Sequence, residues 1–192
     1  IKKAQELANE NVRIFSTWVN KDVPLIGVEP SAILSFRDEY PRLVDKNEIP
    51  KARKLAQNCF IIDEFIAKEI QKGNITAGQF TKEKKYIKLH GHCHQKPFEA
   101  FGPVQTVLGL VPDLKVEPIE SSCCGMAGAF GYAADTIDVS LAMGELSLLP
   151  AVRKAPDDAI IVADGTSCRH QIHDGTGREA VHVARVLAGC LA

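Results

Sequence analysis

Four of the six cysteines share a local pattern that is suited to binding a metal. Each follows a short apolar segment and lies among glycine or histidine residues: Cys93, the adjacent pair Cys123 and Cys124, and Cys168. In an open parallel sheet, the loops that follow the strands gather at the carboxyl edge, so these thiols are predicted to meet there. Thiolate ligands select zinc or an iron–sulfur cluster over oxygen-preferring cations. The four cysteines are therefore candidate ligands of one metal centre.

The residues next to these cysteines could assist such a centre. His92 and His94 flank the first cysteine and His170 lies close after the last, so each could bind the metal or donate a hydrogen bond to its sulfur atoms. Gly125 lets the backbone turn closely around a bound group. A single buried cysteine is equally well explained as a small apolar side chain. An adjacent pair in a glycine-rich loop is poorly suited to core packing, so we favour the metal site.

The elements that must position these loops alternate along the chain. Apolar residues at spacings of three and four predict helices, and short apolar or alternating runs predict strands. The predicted helices span 2–20, a short segment from residue 31 that ends at Pro41, 51–72, 97–110, 137–149 before Pro150, and 183–191. The predicted strands span 24–28, 86–90, 116–119 and 159–163. Cys59 and Cys190 occupy apolar helical positions and are assigned to packing. Strands alternating with helices predict an α/β fold with a mostly parallel sheet.

Composition and charge exclude several functional classes. The 192 residues include 23 Lys plus Arg and 24 Asp plus Glu, so the net charge is -1 and the chain lacks the basic character of proteins that bind nucleic-acid phosphates. Its apolar runs are too short, or too interrupted by charge, to cross a membrane. Six cysteines are too few for a disulfide-stabilised secreted scaffold of this length. We therefore expect a cytoplasmic domain with no nucleic-acid partner.

Three segments of the sequence resemble those of a known family. Residues 92–96 read HCHQK, residues 123–128 read CCGMAG, and residues 164–169 read DGTSCR. Together they resemble the cysteine-rich CCG domain of iron–sulfur oxidoreductases. This family includes the CCG-containing subunit of heterodisulfide reductase, the iron–sulfur subunits of glycolate oxidase and of anaerobic glycerol-3-phosphate dehydrogenase, and the C-terminal part of fused FAD-linked oxidases acting on D-2-hydroxy acids. The resemblance covers nearly the whole chain, and the fused oxidases look most similar.

The resemblance implies two similar Rossmann-like halves, each with a mostly parallel sheet and flanking helices. Residues 1–80 would be the C-terminal part of a first CCG unit and residues 81–192 a second unit, so the chain would be a C-terminal fragment of a longer protein. A faint internal repeat supports this division. Residues 25–32 and 160–168 both run from an apolar strand through an acidic turn to a hydroxyl residue and a helix start.

The family pattern places Cys93, Cys123, Cys124 and Cys168 in the metal-binding role. The sequence departs from that pattern in two places. The closing Cys-x-x-Cys of the family reads CRHQ over residues 168–171, which leaves four thiolates, enough for zinc or for one iron–sulfur cluster. Ala32 stands where the first unit commonly has a cysteine, which argues against a cluster in the first half.

By resemblance, the chain is the electron-transfer domain of an FAD-linked dehydrogenase that oxidises a 2-hydroxy acid or a glycerol-3-phosphate-like substrate. The domain would hold a 4Fe-4S cluster. FAD would be bound upstream, and electrons would pass through ferredoxin-like domains or subunits to an acceptor such as a quinone. The complex could be peripheral to a membrane, and the isolated chain would be inactive. Two alternatives stay open: a structural zinc site in a docking domain of the same enzyme, and a thiol–disulfide redox module in which Cys123 or Cys124 attacks a disulfide.

Overall fold

The computed structural model describes residues 1–82 and 84–192. The chain divides into two compact units, Ile1–Phe65 and Ile66–Ala192. The assignment of residues 1–80 and 81–192 to two related CCG units stays a prediction. No helix in the described part of the chain combines the length and apolar character needed to cross a membrane.

The first unit contains a two-stranded parallel sheet with helices around it. Its elements are α1 (Lys2–Phe15), β1 (Leu25–Gly27), α2 (Pro30–Ser35), α3 (Tyr40–Leu43), α4 (Ile49–Ala56), β2 (Cys59–Ile61) and α5 (Ile62–Gln71), the last of which continues into the second unit. β1 and β2 pair with Leu25 opposite Cys59. Cys59 is fully buried, as expected of a packing residue, and its thiol donates a hydrogen bond to the carbonyl oxygen of Leu55 at 3.2 Å.

Two helix predictions in this region are wrong. The helix predicted over 51–72 is interrupted by β2, because this apolar triplet pairs with β1 instead of continuing the helical periodicity. The helix that begins at Pro30 ends at Ser35, well before Pro41. Pro41 lies instead in the first turn of α3. Proline is favoured in a first turn because its missing N–H has no acceptor within the helix.

The second unit is built around a four-stranded sheet in which every strand pair is parallel. Its elements are the 3₁₀ helix Ala77–Gln79, β3 (Tyr86–His90), α6 (Phe101–Gly109), β4 (Lys115–Pro118), the 3₁₀ helix Gly128–Tyr132, α7 (Ile137–Glu145), α8 (Leu148–Arg153), β5 (Ile160–Ala163), α9 (Thr166–Thr176), β6 (Ala180–Val181) and α10 (Val183–Ala188). The strand order is β4-β3-β5-β6.

This strand order creates a switch point between β3 and β5. The chain passes from β3 to β4 on one side and then returns to place β5 on the other side of β3. Ligands of open α/β sheets bind at the carboxyl edge of such a point, because the loops diverge there and leave a crevice. His90 and Ala163 are paired at the ends of these strands. The loops that begin at Gly91 and Asp164 therefore leave the sheet side by side.

Both faces of this sheet are covered by helices. Val162 of β5 packs in a cluster with residues of α6 and α10, whereas its neighbours Ile161 and Ala163 pack in a second cluster with residues of α8 and α9. Successive strand residues point to opposite faces, so the unbroken apolar run of β5 serves both clusters. The predicted α/β class, with two mostly parallel sheets and flanking helices, is confirmed.

The helix predicted over 137–149 is in fact two helices. α7 ends at Glu145 and α8 begins at Leu148, so Pro150 lies in the first turn of α8 and does not end a helix. Proline is tolerated there because the N–H groups of a first turn lack acceptors within the helix. The helix predicted over 97–110 starts at Phe101, after a stretch of turns that carries Cys93.

Candidate metal centre

The first thiol lies in a tight turn directly after β3. Gly91 begins this turn, and a Cβ atom on it would lie 2.7 Å from the ring of Phe101, so glycine lets the turn approach α6 closely. His92 is buried, and its backbone N–H donates to Oε1 of Gln95 at 2.9 Å. The thiol of Cys93 follows at an intermediate depth. The sequence therefore fixes the position of this thiol through backbone contacts on both sides.

The adjacent thiols lie in the loop after β4, and two side chains hold the start of that loop. Nδ1 of His90 lies 2.8 Å from the hydroxyl oxygen of Ser121. Nζ of Lys96 donates to the carbonyl oxygen of Ser121 and, at 3.1 Å, to that of Ser122. Burial, with a smaller contribution from the charge of Lys96, lowers the pKa of His90 to about 3. His90 is therefore an uncharged hydrogen-bonding partner of the loop at neutral pH.

Small residues let α7 pack directly against the loop of the adjacent cysteines. Gly125 has a φ of +91°, and a Cβ atom on it would lie 2.2 Å from the backbone oxygen of Ser140. A Cβ atom on Gly144 would lie 3.1 Å from the backbone oxygen of Cys124. The N–H of Gly125 donates to Sγ of Cys123 at 3.3 Å. Gly125 thus supports the loop geometry, and its predicted place beside a bound group stays a prediction.

The last thiol, that of Cys168, follows β5, which is one of the two strands at the switch point. Cys168 is in the first turn of α9, directly after β5, and is 1% exposed. A Cβ atom on Gly165 would lie 2.2 Å from Cδ2 of His92 and 3.2 Å from Sγ of Cys168. Glycine at this position therefore lets the turn after β3 close onto the loop after β5.

The four thiols interact with one another. The thiols of Cys168 and Cys123 lower the pKa of Cys124, and the thiols of Cys123 and Cys124 contribute to raising the pKa of Cys93. The cysteines that follow β3, β4 and β5 therefore lie near one another.

These contacts make the thiols electrostatically interdependent. The hydrogen bond from Cys168, opposed by burial, lowers the pKa of Cys124 below that of an ordinary thiol. The same hydrogen bond, reinforced by burial, raises the pKa of Cys168. Burial raises the pKa of Cys93, and its sulfur neighbours add to that effect.

A buried polar network joins the loops after β3 and β5. Oδ2 of Asp164 accepts a hydrogen bond from Nε2 of Gln95 at 3.0 Å, and its Oδ1 accepts one from the N–H of Val183 at 3.3 Å. Gln95 also holds the backbone of His92, as described above. Asp164 thus acts as a hydrogen-bond acceptor that ties three segments together. Gln95 was not among the predicted site residues; its side chain closes the turn by accepting a hydrogen bond from the N–H of His92, three residues earlier.

Two other predicted residues lie at the surface. His94 is exposed, and its backbone N–H donates to Nδ1 of His92 at 3.1 Å. His170 is also exposed, and its Nδ1 lies 2.9 Å from the hydroxyl oxygen of Tyr132. Their predicted roles beside a cofactor stay predictions.

The four thiols are donors of the kind that a thiophilic metal prefers. Their side chains are not arranged as a formed metal site. Within residues 1–82 and 84–192, no three His, Cys, Asp or Glu side chains have the arrangement of a formed metal site. Metal ligation needs deprotonated sulfurs directed at a common point.

The chain has relatives among known dehydrogenases. It is 29% identical over 182 residues to D-2-hydroxyglutarate dehydrogenase of Escherichia coli (strain K12), and the aligned region covers 92% of this chain and 17% of that protein. It is 27% identical over 185 residues to D-2-hydroxyglutarate dehydrogenase of Haemophilus influenzae, covering 90% of this chain and 17% of that protein. It is 24% identical over 191 residues to one subunit of the anaerobic glycerol-3-phosphate dehydrogenase of E. coli, covering 99% of this chain and 46% of that protein.

These relatives confirm the resemblance inferred from the cysteine motifs. The similarity extends over most of this chain, which spans 17% of the length of the two D-2-hydroxyglutarate dehydrogenases and 46% of the glycerol-3-phosphate dehydrogenase subunit. No family model matches the chain, and no solved structure matches it.

Proposed function

We propose that the chain is an iron–sulfur electron-transfer domain of a flavin-linked dehydrogenase that oxidises a 2-hydroxy acid or a glycerol-3-phosphate-like substrate. The observation that carries this proposal is the convergence of four thiols from three loops at the switch point of a parallel sheet. The relatives, which are dehydrogenases by name, support the class of enzyme.

Cys93, Cys123, Cys124 and Cys168 would hold the cluster, which supplies one-electron transfer when bound. The chain would contribute a site that is shielded from water, because Cys124 and Cys168 are almost fully buried. It would also contribute the backbone N–H of Gly125, which donates to Sγ of Cys123. Burial and hydrogen bonds to sulfur are the means by which proteins adjust the reduction potential of such a centre.

Substrate oxidation would take place outside this chain. The much greater length of the relatives leaves room for an FAD-binding domain and for ferredoxin-like domains, either upstream in one protein or in partner subunits. An acceptor such as a quinone would receive the electrons, and the complex could then lie at a membrane surface. The isolated chain is expected not to oxidise substrate.

Helix α7 offers a surface for such a partner. Only the small residues Ser140 and Gly144 of this helix are buried. Large apolar side chains around them are exposed, among them Val139 at 53% and, just after the helix, Leu146 at 79%. Exposed apolar patches of this kind mark interaction sites. A ferredoxin-like partner bound there would be separated from the thiols by one helix, because α7 packs on the loop of the adjacent cysteines.

A structural zinc site is the second candidate. Four sulfur donors complete the tetrahedral coordination of zinc and leave no position open for substrate or water. The same four residues would then brace a docking domain without carrying electrons.

Metal loading of the purified chain tests these candidates. After anaerobic reconstitution with iron and sulfide, the proposal predicts about four iron atoms per chain, broad visible absorbance and a paramagnetic reduced state. Preferential binding of one zinc ion, with no visible absorbance, would replace the proposal with the structural candidate. Failure to bind either metal, with rapid alkylation of one thiol, would favour the thiol–disulfide module.

A further inference from the structure

The outer edge of β2, in the sheet of the first unit, is occupied by side chains. Nε of Arg37 donates to the carbonyl oxygen of Cys59 at 2.9 Å, and the N–H of Ile61 donates to Oε2 of Glu64 at 2.9 Å. Arg37 and Glu64 also form an ion pair with each other. These backbone groups point away from β1, because the carbonyl oxygen of the preceding Asn58 points toward it. This edge is therefore not available to a further strand.

The outer edge of β1 has no such cover. The N–H of Leu25 donates to the carbonyl oxygen of Asn58 at 2.9 Å, on the side of β2. Consecutive residues of a strand direct their backbone groups to opposite sides, so the N–H and C=O of Ile26 point away from β2. In the described part of the chain, no other strand pairs with β1. Ile26 is 38% exposed, and Val23 and Val28 on either side are more than half exposed. An unpaired apolar edge of this kind is a template for another strand.

The second unit indicates which kind of strand fits this edge. The faint repeat between residues 25–32 and 160–168 gives β1 the place of β5, and the next strand, β2, then has the place of β6. β5 lies inside its sheet, with β6 on one side and β3 on the other, and both pairs are parallel. The outer edge of β1 thus corresponds to the side of β5 that β3 occupies. The apolar run over 25–28 is also typical of an interior strand of a parallel sheet.

A second copy of this chain does not match that arrangement. Two copies related by a twofold axis would pair their β1 edges antiparallel, whereas the comparison with β5 calls for a parallel strand. The relatives are longer than this chain, which spans 46% of the glycerol-3-phosphate dehydrogenase subunit and 17% of the D-2-hydroxyglutarate dehydrogenases. A protein of such a length contains further segments that can supply a strand.

We propose that the outer edge of β1 binds a parallel, apolar strand supplied by a segment of the full-length protein outside residues 1–192. Such a strand gives partners to the N–H and C=O of Ile26 and turns β1 from an edge strand into an interior strand. Main-chain hydrogen bonds to an exposed edge are an established mode of association between strands. The inference does not involve the metal centre and goes beyond the proposed function.

Amide hydrogen exchange, resolved residue by residue, tests the inference in the chain of residues 1–192 and in the full-length protein. The amide of Ile26 should exchange at least about tenfold more slowly in the full-length protein. The amide of Leu25, which is bonded to β2, should be protected in both forms. The adjacent amides of Ile161 and Val162 are the control for a strand with neighbours on both sides, and both should be protected in both forms.

Two substitutions separate the backbone of this position from its side chain. Ile26→Pro removes the N–H that would pair, whereas Ile26→Ala keeps it and shortens the same side chain. Proline is tolerated in a strand where its nitrogen faces solvent. In the full-length protein, the amide of Leu25 should therefore exchange at least about tenfold faster in Ile26→Pro than in Ile26→Ala. In the isolated chain the two variants should exchange this amide at the same rate.

Three results would overturn the inference. Equally fast exchange of the Ile26 amide in both proteins would mean that no strand binds the edge. Protection of this amide already in the isolated chain would exclude an outside segment, and a dimer in sedimentation would then identify a second copy as the occupant. Equal behaviour of the two Ile26 variants in the full-length protein would also contradict the pairing. None of these results bears on the metal centre, and a chain that binds no iron would leave this edge unchanged.

Discussion

Substitution of Gly125 by alanine tests how the loop of the adjacent cysteines is held. The residue has a φ of +91°, and a new Cβ atom would lie 2.2 Å from the backbone oxygen of Ser140 and 3.1 Å from Cβ of Met143. A left-handed conformation costs an ordinary residue about 1–2 kcal/mol. Forcing an extra methyl group into a packed contact costs about 1–3 kcal/mol more. The Gly125→Ala variant is therefore expected to lose about 2–5 kcal/mol in the free energy of unfolding.

Gly128 provides the matched control. It also has a positive φ, +63°, but a Cβ atom on it would meet nothing within 4 Å, so Gly128→Ala should lose only the conformational part, about 1–2 kcal/mol. Urea unfolding of the two metal-free variants and the wild type, followed by circular dichroism, measures the difference. Equal losses in the two variants would refute the claim that a glycine at 125 is what allows α7 to pack on the loop.

Three further predictions concern other parts of the chain. Gln95→Leu should lower the free energy of unfolding by about 2–4 kcal/mol, because the N–H of His92 and the carboxylate of Asp164 each lose a buried hydrogen-bond partner. Gln105 is exposed, so the control Gln105→Leu should change the free energy of unfolding by less than about 0.5 kcal/mol. Similar urea midpoints for the two variants would contradict the network. Burial raises the pKa of Cys59 from 9.0 to about 12, so the folded chain keeps a proton that the unfolded chain releases, and stability falls as pH rises above 9. Between pH 8 and 10 the wild type should lose about 1.4 kcal/mol relative to Cys59→Ala, and parallel stability profiles would contradict this. Val139→Ser and Leu146→Ser should leave stability within about 0.5 kcal/mol of the wild type. Under the proposed function, both should slow electron transfer out of the flavin of the full-length enzyme and leave flavin reduction by substrate unchanged; wild-type transfer rates would exclude α7 as the docking surface.

Local patterns predicted β3, β4 and β5 of the second unit well, missed the two-residue strand β6, and misplaced helix boundaries in both units. β3 begins and ends at the predicted residues, because alternation over Tyr86–His90 is a signal carried within the strand itself. The helix predicted over 51–72 was wrong because Cys59–Ile61 fits a helical spacing as well as a strand. Cys59–Ile61 form a strand because they pair with β1, more than thirty residues earlier in the chain. No periodicity within the segment carries that information.

The positions of the candidate ligands could be predicted, but the groups that hold them could not. Loops after parallel strands gather at one edge, and this rule was sufficient to place the four cysteines after strands of one sheet. Their role as ligands stays a prediction. The contact between Gly165 and His92, by contrast, depends on the register that sets His90 beside Ala163, across 73 positions in the chain. The same register brings Gln95 within reach of Asp164. Such pairings follow from the assembled sheet and leave no mark on the local sequence.

The most direct test of the central claim is the iron content of cysteine-to-alanine variants after anaerobic reconstitution. The four variants of the candidate centre are Cys93→Ala, Cys123→Ala, Cys124→Ala and Cys168→Ala. Cys59→Ala and Cys190→Ala are the controls, since both residues are buried and lie outside the three cysteine loops. Each site variant should lose most of the iron and the visible absorbance, and both controls should retain them. Full iron binding by Cys124→Ala or Cys168→Ala would contradict a centre held by thiols from three loops.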